Sequence, residues 1–183
     1  GLFYDRDEHG HVVDTKKYER GRQATARKGA EILGALHQRK AIDAYSDKEQ
    51  ARQGLVRDYL ASTTPDHDKL ALGHSRQDVA ALNRDIRQGL QAKGQVQPDA
   101  AMMTAKDGPN WVEMALGVGD RIRFTARDEE MGVINGTRGV VSGISKSRAG
   151  GFDITVALGE RSVRFNTYEF RAIAHDYAMT IHK

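Results

Sequence analysis

A short apolar segment followed at once by a long amphipathic stretch constrains the fold of this chain more than any other feature. Lys69–Gly73 is apolar enough for a buried strand. The apolar residues after it recur with a period of about 3.6 residues and predict a helix over Ser75–Lys93; they are Val79, Leu82, Ile86 and Leu90. Strand, turn and helix in this order make half of a parallel α/β unit, which needs partner strands. We expect Arg171–His175 to be one partner.

Residues 1–64 are predicted to form an N-terminal helical segment. Lys16–Lys40 is rich in Ala, Arg, Lys and Gln, which favour helix. Ser46-Asp47-Lys48-Glu49 has the pattern of a capping box and predicts a second helix starting at Ser46. Residues 1–13 fit either a hairpin or a tail, and we interpret their histidines and acidic residues as a solvated turn rather than a metal site.

The C-terminal half has a different pattern, of short strands separated by glycine-rich turns. Asn135-Gly136 and Ala149-Gly150-Gly151 are strong turn signals. The strands predicted between and around these turns are Arg121–Thr125, Gly139–Ile144, Phe152–Leu158 and Ser162–Phe165. Several strands joined by hairpin turns favour a small closed barrel. Gly94–Asn110, which contains two prolines, is interpreted as the linker leading into it.

Composition excludes several classes of site. The 183 residues include no cysteine, so neither disulfides nor thiolate metal sites are available, and no apolar run reaches the length of a membrane span. The chain lacks the Gly-x-x-x-x-Gly-Lys-Ser/Thr loop that cradles nucleotide phosphates. We therefore expect no ATP hydrolysis, no cofactor and no metal in this chain by itself.

Basic residues indicate where a polyanion could bind, although the formal net charge is only +3. Arg121 and Arg123 alternate with Ile122 and Phe124 and should share the outer face of a strand, with Arg138 nearby on the barrel. A phosphate-binding face and an ordinary solvated surface are both compatible with this pattern.

The turn between the first strand and its helix is a second candidate. His74, Ser75 and Arg76 precede a predicted helix N-terminus, where backbone amides and the helix dipole favour an anion. Thr180, His182 and Lys183 would follow the last strand in the equivalent position and would form one surface with them. Ser75 can equally be a helix cap, and His175 and His182 can equally be structural.

Three ordered motifs resemble one protein family. The run from Tyr177 to Lys183 is similar to the start of motif V in superfamily-1B DNA helicases of the RecD type. Gly119–Phe124 with Val133–Gly139 resembles the small barrel that these helicases insert before motif V. Leu70–Arg76 with Asn83 resembles the strand and helix of their second motor domain. The resemblance covers roughly residues 65–183 and is greatest to the helicase regions of conjugative relaxases of the TraA/TraI type.

The resemblance implies an α/β fold in which a partial RecA-like parallel sheet with flanking helices is interrupted by an SH3-like β-barrel. Residues 65–110 and 169–183 would belong to the motor domain, and residues 111–168 to the barrel. It also implies a cytoplasmic bacterial protein of plasmid transfer, whose parent uses ATP and magnesium and whose partners are single-stranded DNA and the rest of its own chain. Arg22 faintly resembles a motif IV arginine that approaches the nucleotide.

Two other functions stay open at this point. The domain could be vestigial, retaining DNA binding without ATP hydrolysis in its parent. It could instead be a protein-interaction module built on the barrel. These two differ in salt response, because phosphate contacts weaken steeply with salt whereas peptide docking does not.

Overall fold

The computed structural model describes residues 26–31, 35, 47–65 and 68–181. The predictions for Arg22, Ser46, His182 and Lys183 and for residues 1–13 lie outside these ranges. The chain divides into two units, Gly1–Ala51 and Arg52–Lys183. In the first, residues 26–31 are helical. None of the helices in the described ranges is long and apolar enough to cross a membrane.

Helix α1 spans Lys48–Ala61 and is capped by Asp47. The Oδ1 atom of Asp47 accepts a hydrogen bond of 2.8 Å from the backbone N–H of Gln50, which satisfies one of the free amides of the first turn. The capping residue observed is therefore one position after the predicted start at Ser46.

The predicted strand and helix are confirmed, as β1 (Ala71–Gly73) and α2 (Arg76–Ala92). Strand β1 pairs in parallel with β9 (Ala178–Thr180), with Gly73 opposite Thr180. This pair is the only parallel pairing within residues 68–181, so the RecA-like sheet is seen only in part.

The partner predicted for β1 was wrong. Strand β8 (Ile173–His175) pairs antiparallel with β4 (Arg121–Phe124), placing His175 opposite Ile122. The reason is packing, because the side chain of Ile173 is fully buried in the core of the antiparallel sheet. The chain then crosses at Asp176 and Tyr177 to reach β9.

The predicted linker is instead a hairpin, formed by β2 (Ala101–Asp107) and β3 (Asn110–Leu116). Ala101, Met103 and Ala105 alternate into the core while the residues between them face outward. Gly108 has a φ of +61° at the first position of the two-residue turn, where a glycine is favoured. The hairpin crosses the domain boundary predicted between residues 110 and 111.

Five antiparallel strands form the main sheet, in the order β7-β6-β5-β4-β8. The strands not yet given are β5 (Arg138–Lys146), β6 (Phe152–Leu158) and β7 (Arg161–Asn166). The predicted strands β4 to β7 are thus confirmed to within a few residues. A closed barrel is not confirmed, because β7 and β8 are the two edges of this sheet and do not pair with each other in the described part of the chain.

Two separate hydrophobic clusters support these elements. One lies under the main sheet and the β2–β3 hairpin, with Phe124, Phe165 and Phe170 packed ring against ring. The other lies between α1, α2 and the β1–β9 pair and includes Tyr59 and Tyr177. Helix α1 approaches α2 closely where Leu60 lies against Gly89.

Candidate functional site

A groove of about 730 Å³ lies between α2, the β2–β3 hairpin and the strands β4, β8 and β9. It brings together three of the predicted site residues, Arg76, Arg123 and Thr180, from three different elements. Apolar side chains also line it, among them Val79 and Val112. The groove therefore combines basic side chains with apolar surface.

The ends of β1 and β9 lie side by side, so Thr180 is close to the end of β1 although the strand predicted beside β1 was Arg171–His175. Gly73 is in register with Thr180, and the N–H of Ile181 donates to the carbonyl of Gly73 at 3.1 Å. His74 and Arg76 follow β1 and are exposed to solvent. The residues expected to form one surface at these strand ends are thus adjacent, except for His182 and Lys183, which are outside the described residues.

Asn83 fixes β9 against α2. Its Oδ1 accepts hydrogen bonds from the N–H groups of Tyr177 and Ala178, at 3.0 and 2.9 Å. Its Nδ2 donates to the carbonyl of Ala178 at 3.3 Å. The Asn83 side chain therefore anchors Tyr177 and Ala178, which lead to Thr180 at the groove, with three hydrogen bonds.

Ser75 is the N-cap of α2 rather than a free anion ligand. Its hydroxyl accepts from the N–H of Asp78 at 3.2 Å and donates to Asp78 Oδ2 at 2.7 Å. Asp78 in turn accepts from the N–H of Ser75 at 3.1 Å, which completes a capping box. The carboxylate of Asp78 places negative charge where we expected a phosphate, so the helix N-terminus is already satisfied.

Arg123 is a groove cation that is only partly satisfied by the protein. Its Nε is buried and has no hydrogen-bond acceptor among the described residues. Its Nη2 lies 3.5 Å from Asp107 Oδ1, at the limit of a hydrogen bond. A buried donor left without an acceptor costs about 1–3 kcal/mol. Because Nε is shielded from solvent, an anion in the groove would contact the exposed part of this side chain, which is 23% exposed and is held, among the described residues, only by the long contact to Asp107.

The other basic residues of the groove are engaged to different degrees. Arg87 is buried and bonded to Asp120 and Asp99, so its charge is compensated. Arg84 is mostly exposed and pairs with the adjacent Asp85. No ion pair is found for Arg76 within residues 68–181. Asp99, Asp107 and Glu113 add negative charge to the lining, so the groove carries only a small excess of available positive charge.

Arg121 and Arg138 do not face the groove. The expectation that Arg121 shares an exposed face with Arg123 was wrong, because Arg121 is buried and donates to Tyr59 Oη at 2.9 Å and to the carbonyl of Lys69 at 3.1 Å. Arg138 Nε lies 2.9 Å from Asp176 Oδ2, and Arg121 Nη2 lies 3.7 Å from the same oxygen. Both guanidinium groups offset a buried carboxylate whose pKa is raised by burial.

A buried network around Asp120 sets the position of α2 on the main sheet, and it was missed at the sequence level. Asp120 is fully buried and accepts from both Nε and Nη2 of Arg87 at 2.8 Å, from Tyr177 Oη at 2.8 Å and from the N–H of Gly117 at 2.7 Å. Burial and the neighbouring carboxylate raise the pKa of Tyr177. Because Arg87 belongs to α2 and Asp120 precedes β4, this network fixes one wall of the groove relative to the other.

His175 has a structural contact, in agreement with one of its two interpretations. Its Nε2 lies 3.1 Å from the carbonyl of Ala115, which joins β8 to the hairpin. Burial lowers the pKa of His175 despite the proximity of Asp120. In the ranges described, no group of three or more His, Asp or Glu side chains is arranged to hold a metal ion.

Comparison with known proteins supports the predicted resemblance. The chain is 33% identical over 141 residues to the probable conjugal transfer protein TraA of Sinorhizobium fredii, an alignment that covers 74% of this chain and 12% of that protein. The chain thus corresponds to a small part of its relative. No protein-family model matches. The similarity to TraA-type proteins that the motifs predicted is confirmed.

Sequence identity to solved structures is lower. Unliganded Pif1 from Bacteroides sp. is 18% identical, with a TM-score of 0.43 over 66% of this chain and 44% of that chain. Bacteroides Pif1 bound to single-stranded DNA is 15% identical, with a TM-score of 0.45 over 75% of this chain and 41% of that chain. Values in this range do not establish a shared fold.

Proposed function

Because this chain is similar to a segment of a TraA-type conjugal transfer protein, we propose that it is part of the helicase region of a conjugative relaxase and that its groove binds single-stranded DNA. ATP and magnesium would be bound by other parts of the parent, and the remainder of that chain is its constant partner. The assignment of residues 65–110 and 169–183 to a motor domain, with an SH3-like insertion between them, stays a prediction. So does a cytoplasmic location.

The observation that carries the proposal is that one groove is lined by both Arg76, which is exposed, and Arg123, whose contact with Asp107 is as long as 3.5 Å. A phosphate oxygen is the acceptor that best suits such a guanidinium, because the hydrogen bond is charge-assisted and can be bidentate. Arg76 adds a second, solvent-exposed cation from the first turn of α2. The two side chains approach the groove from different walls.

The apolar lining favours a single strand over a duplex. Val79 and Val112 contribute apolar surface to the lining. Proteins that bind single strands combine basic side chains for the backbone with apolar or aromatic surface for unstacked bases. A duplex presents mainly phosphate and sugar and would leave this surface uncovered.

Affinity is expected to be low for the chain by itself. Asp107 and Glu113 lie in the same groove and repel phosphate, and Asp107 competes for Arg123. The proposal therefore needs further contacts from the rest of the parent to reach the affinity of a working motor. It does not need Ser75, Arg121 or Arg138, whose side chains are already bonded within the protein.

Amide chemical-shift mapping with oligo-dT tests this function. We expect shifts to concentrate on Arg76, Asn83, Arg123 and Thr180. Arg76→Ala should weaken binding, whereas Arg127→Ala should not, because Arg127 is an exposed arginine outside the groove lining, paired with Glu129. Shifts elsewhere, or equal losses in both variants, would assign the binding surface to another part of the chain.

A further inference from the structure

The β2–β3 hairpin carries the chain's one tryptophan on its outer face. Trp111 is 57% exposed, and Met102 and Val112 on the same hairpin are also largely exposed. Leaving a large indole surface in water forgoes the free energy that its burial would provide. Met102 shares the outer face with Trp111, whereas Val112 alternates to the opposite face. Trp111 and Met102 are the exposed apolar side chains of the outer face, which we call the hairpin patch, and exposed apolar surface of this kind marks contacts with another molecule.

A cation accompanies the indole ring. Lys106 is directly opposite Trp111 in the hairpin register, and its Nζ lies 5.8 Å from the ring centroid. Glu113, the next outward residue on β3, accepts a 2.8 Å hydrogen bond from Thr104 Oγ1. The ring is therefore flanked by positive charge on one side, while the nearby carboxylate is already engaged.

The ring also lies close to the basic part of the groove along the chain. The pair Lys106 and Trp111 is one step from the Asp107 and Asn110 pair that opens the turn. Arg123 contacts Asp107, and Arg76 Nη1 lies 4.0 Å from the position that a Cβ would take at Gly108. Both groove arginines thus approach the same turn, and Glu113, which lies on the same face of β3 as Trp111, lines the groove.

We propose that Trp111 stacks on a nucleobase of single-stranded DNA whose backbone lies in the groove, with Lys106 contacting an adjacent phosphate. This inference rests on the proposed function and adds a base-contacting residue to it. Stacking is tolerant of sequence, because every base presents a π face. The hairpin therefore contacts bases without discriminating between base types.

The single tryptophan makes the test direct. Fluorescence excited where only indole absorbs, and not the six tyrosines, reports on Trp111 alone, and anisotropy of labelled oligo-dT reports on binding independently. We expect oligo-dT to quench the fluorescence, Trp111→Ala to weaken binding about tenfold, and Trp111→Phe to retain most of the affinity. Tyr168→Ala is the matched control, because Tyr168 is 64% exposed and also has a cation near its ring, but it follows β7 and does not belong to the β2–β3 hairpin. Circular dichroism verifies folding of each variant.

An abasic oligonucleotide of the same length separates base contacts from phosphate contacts. Trp111→Ala should cost nothing further on this ligand, because the stacking partner is already absent. Oligo-dT binding without a change in Trp111 fluorescence, or with equal affinity in Trp111→Ala, would overturn the stacking role and leave the proposed function standing. No binding by anisotropy at millimolar oligo-dT would overturn both, and the hairpin patch would then be assigned to a protein contact.

Discussion

Replacing Asp120 with asparagine should destabilise this fold more than any change on its surface. The fully buried Asp120 carboxylate accepts two hydrogen bonds from Arg87, one from Tyr177 and one from the Gly117 amide. Asparagine keeps the shape of the side chain but replaces one carboxylate oxygen with an NH2 group. That group is a donor, and it would face the donors of its neighbours. Asp99, whose side chain is half exposed, would then be the carboxylate left to pair with Arg87. Breaking a buried pair in this way costs about 3–5 kcal/mol.

The cost should appear as a fall in Tm of roughly 10–15 °C, measured by thermal denaturation and checked by urea midpoints. Glu129→Gln removes a carboxylate whose pair with Arg127 is exposed, and it should leave the midpoint unchanged. The double variant Arg87→Met, Asp120→Asn should recover only part of the loss, because Tyr177 and Gly117 keep their need for an acceptor. A fall in Tm of less than about 3 °C for Asp120→Asn would refute the central role of this network.

Two further predictions concern packing and pH. Gly89→Ala should lower the free energy of unfolding by up to about 2 kcal/mol, because a Cβ at Gly89 would overlap the Leu60 side chain and the overpacking cost of about 1–3 kcal/mol exceeds the gain of about 1 kcal/mol in helix propensity. Gly29→Ala, at a helical glycine with no atom near its Cβ position, should leave the urea midpoint of the unit Arg52–Lys183 unchanged. Equal midpoints for the two variants would disprove the close approach of α1 to α2. Burial holds the pKa of His175 below its ordinary value of 6.5, so the unfolded chain takes up the proton first and the free energy of unfolding should fall as pH drops below about 6.5. His175→Gln can still donate to the carbonyl of Ala115 and should show a flatter profile of urea midpoints from about pH 8 to pH 5. Parallel profiles for the two proteins would mean that the pKa of His175 does not change on folding.

Elements with a strong local signal could be predicted from the sequence. Helix α2 follows from four apolar residues at helical spacing, and β5 to β7 follow from alternation between glycine turns. Both patterns involve residues that are close together in the sequence. The turn after β1 was also predicted, with Ser75 as a possible helix cap, and the structure shows a capping box formed by Ser75 and Asp78.

The hairpin and the last two strands could not be predicted in the same way. Ala101–Asp107 consists mainly of alanine, methionine and polar residues with low strand propensity, and a Gly-Pro turn follows it, so the sequence predicts a linker there. Strands β8 and β9 have three residues each, and either could have paired with β1. Their partners are decided by burial of Ile173 in the main sheet, which is a tertiary effect.

The candidate site was predictable only where adjacent motifs supplied it. Arg76 and Thr180 were expected at neighbouring strand ends and are found there. Alternation alone placed Arg121 and Arg123 on one exposed face, but it contains no information about α1, which covers Arg121. Asp120 joins residues far apart in sequence, so no local pattern could reveal its role.

The salt dependence of single-strand affinity tests the central claim most directly. Three groove arginines with exposed or unsatisfied guanidinium groups, Arg76, Arg84 and Arg123, correspond to a slope of log K against log salt of roughly −2 for a single strand, at about −0.7 per phosphate. Arg76→Ala should reduce the slope to roughly −1.4, and Arg127→Ala should leave it unchanged. A flat response, or a slope that Arg76→Ala does not alter, would contradict DNA binding in this groove.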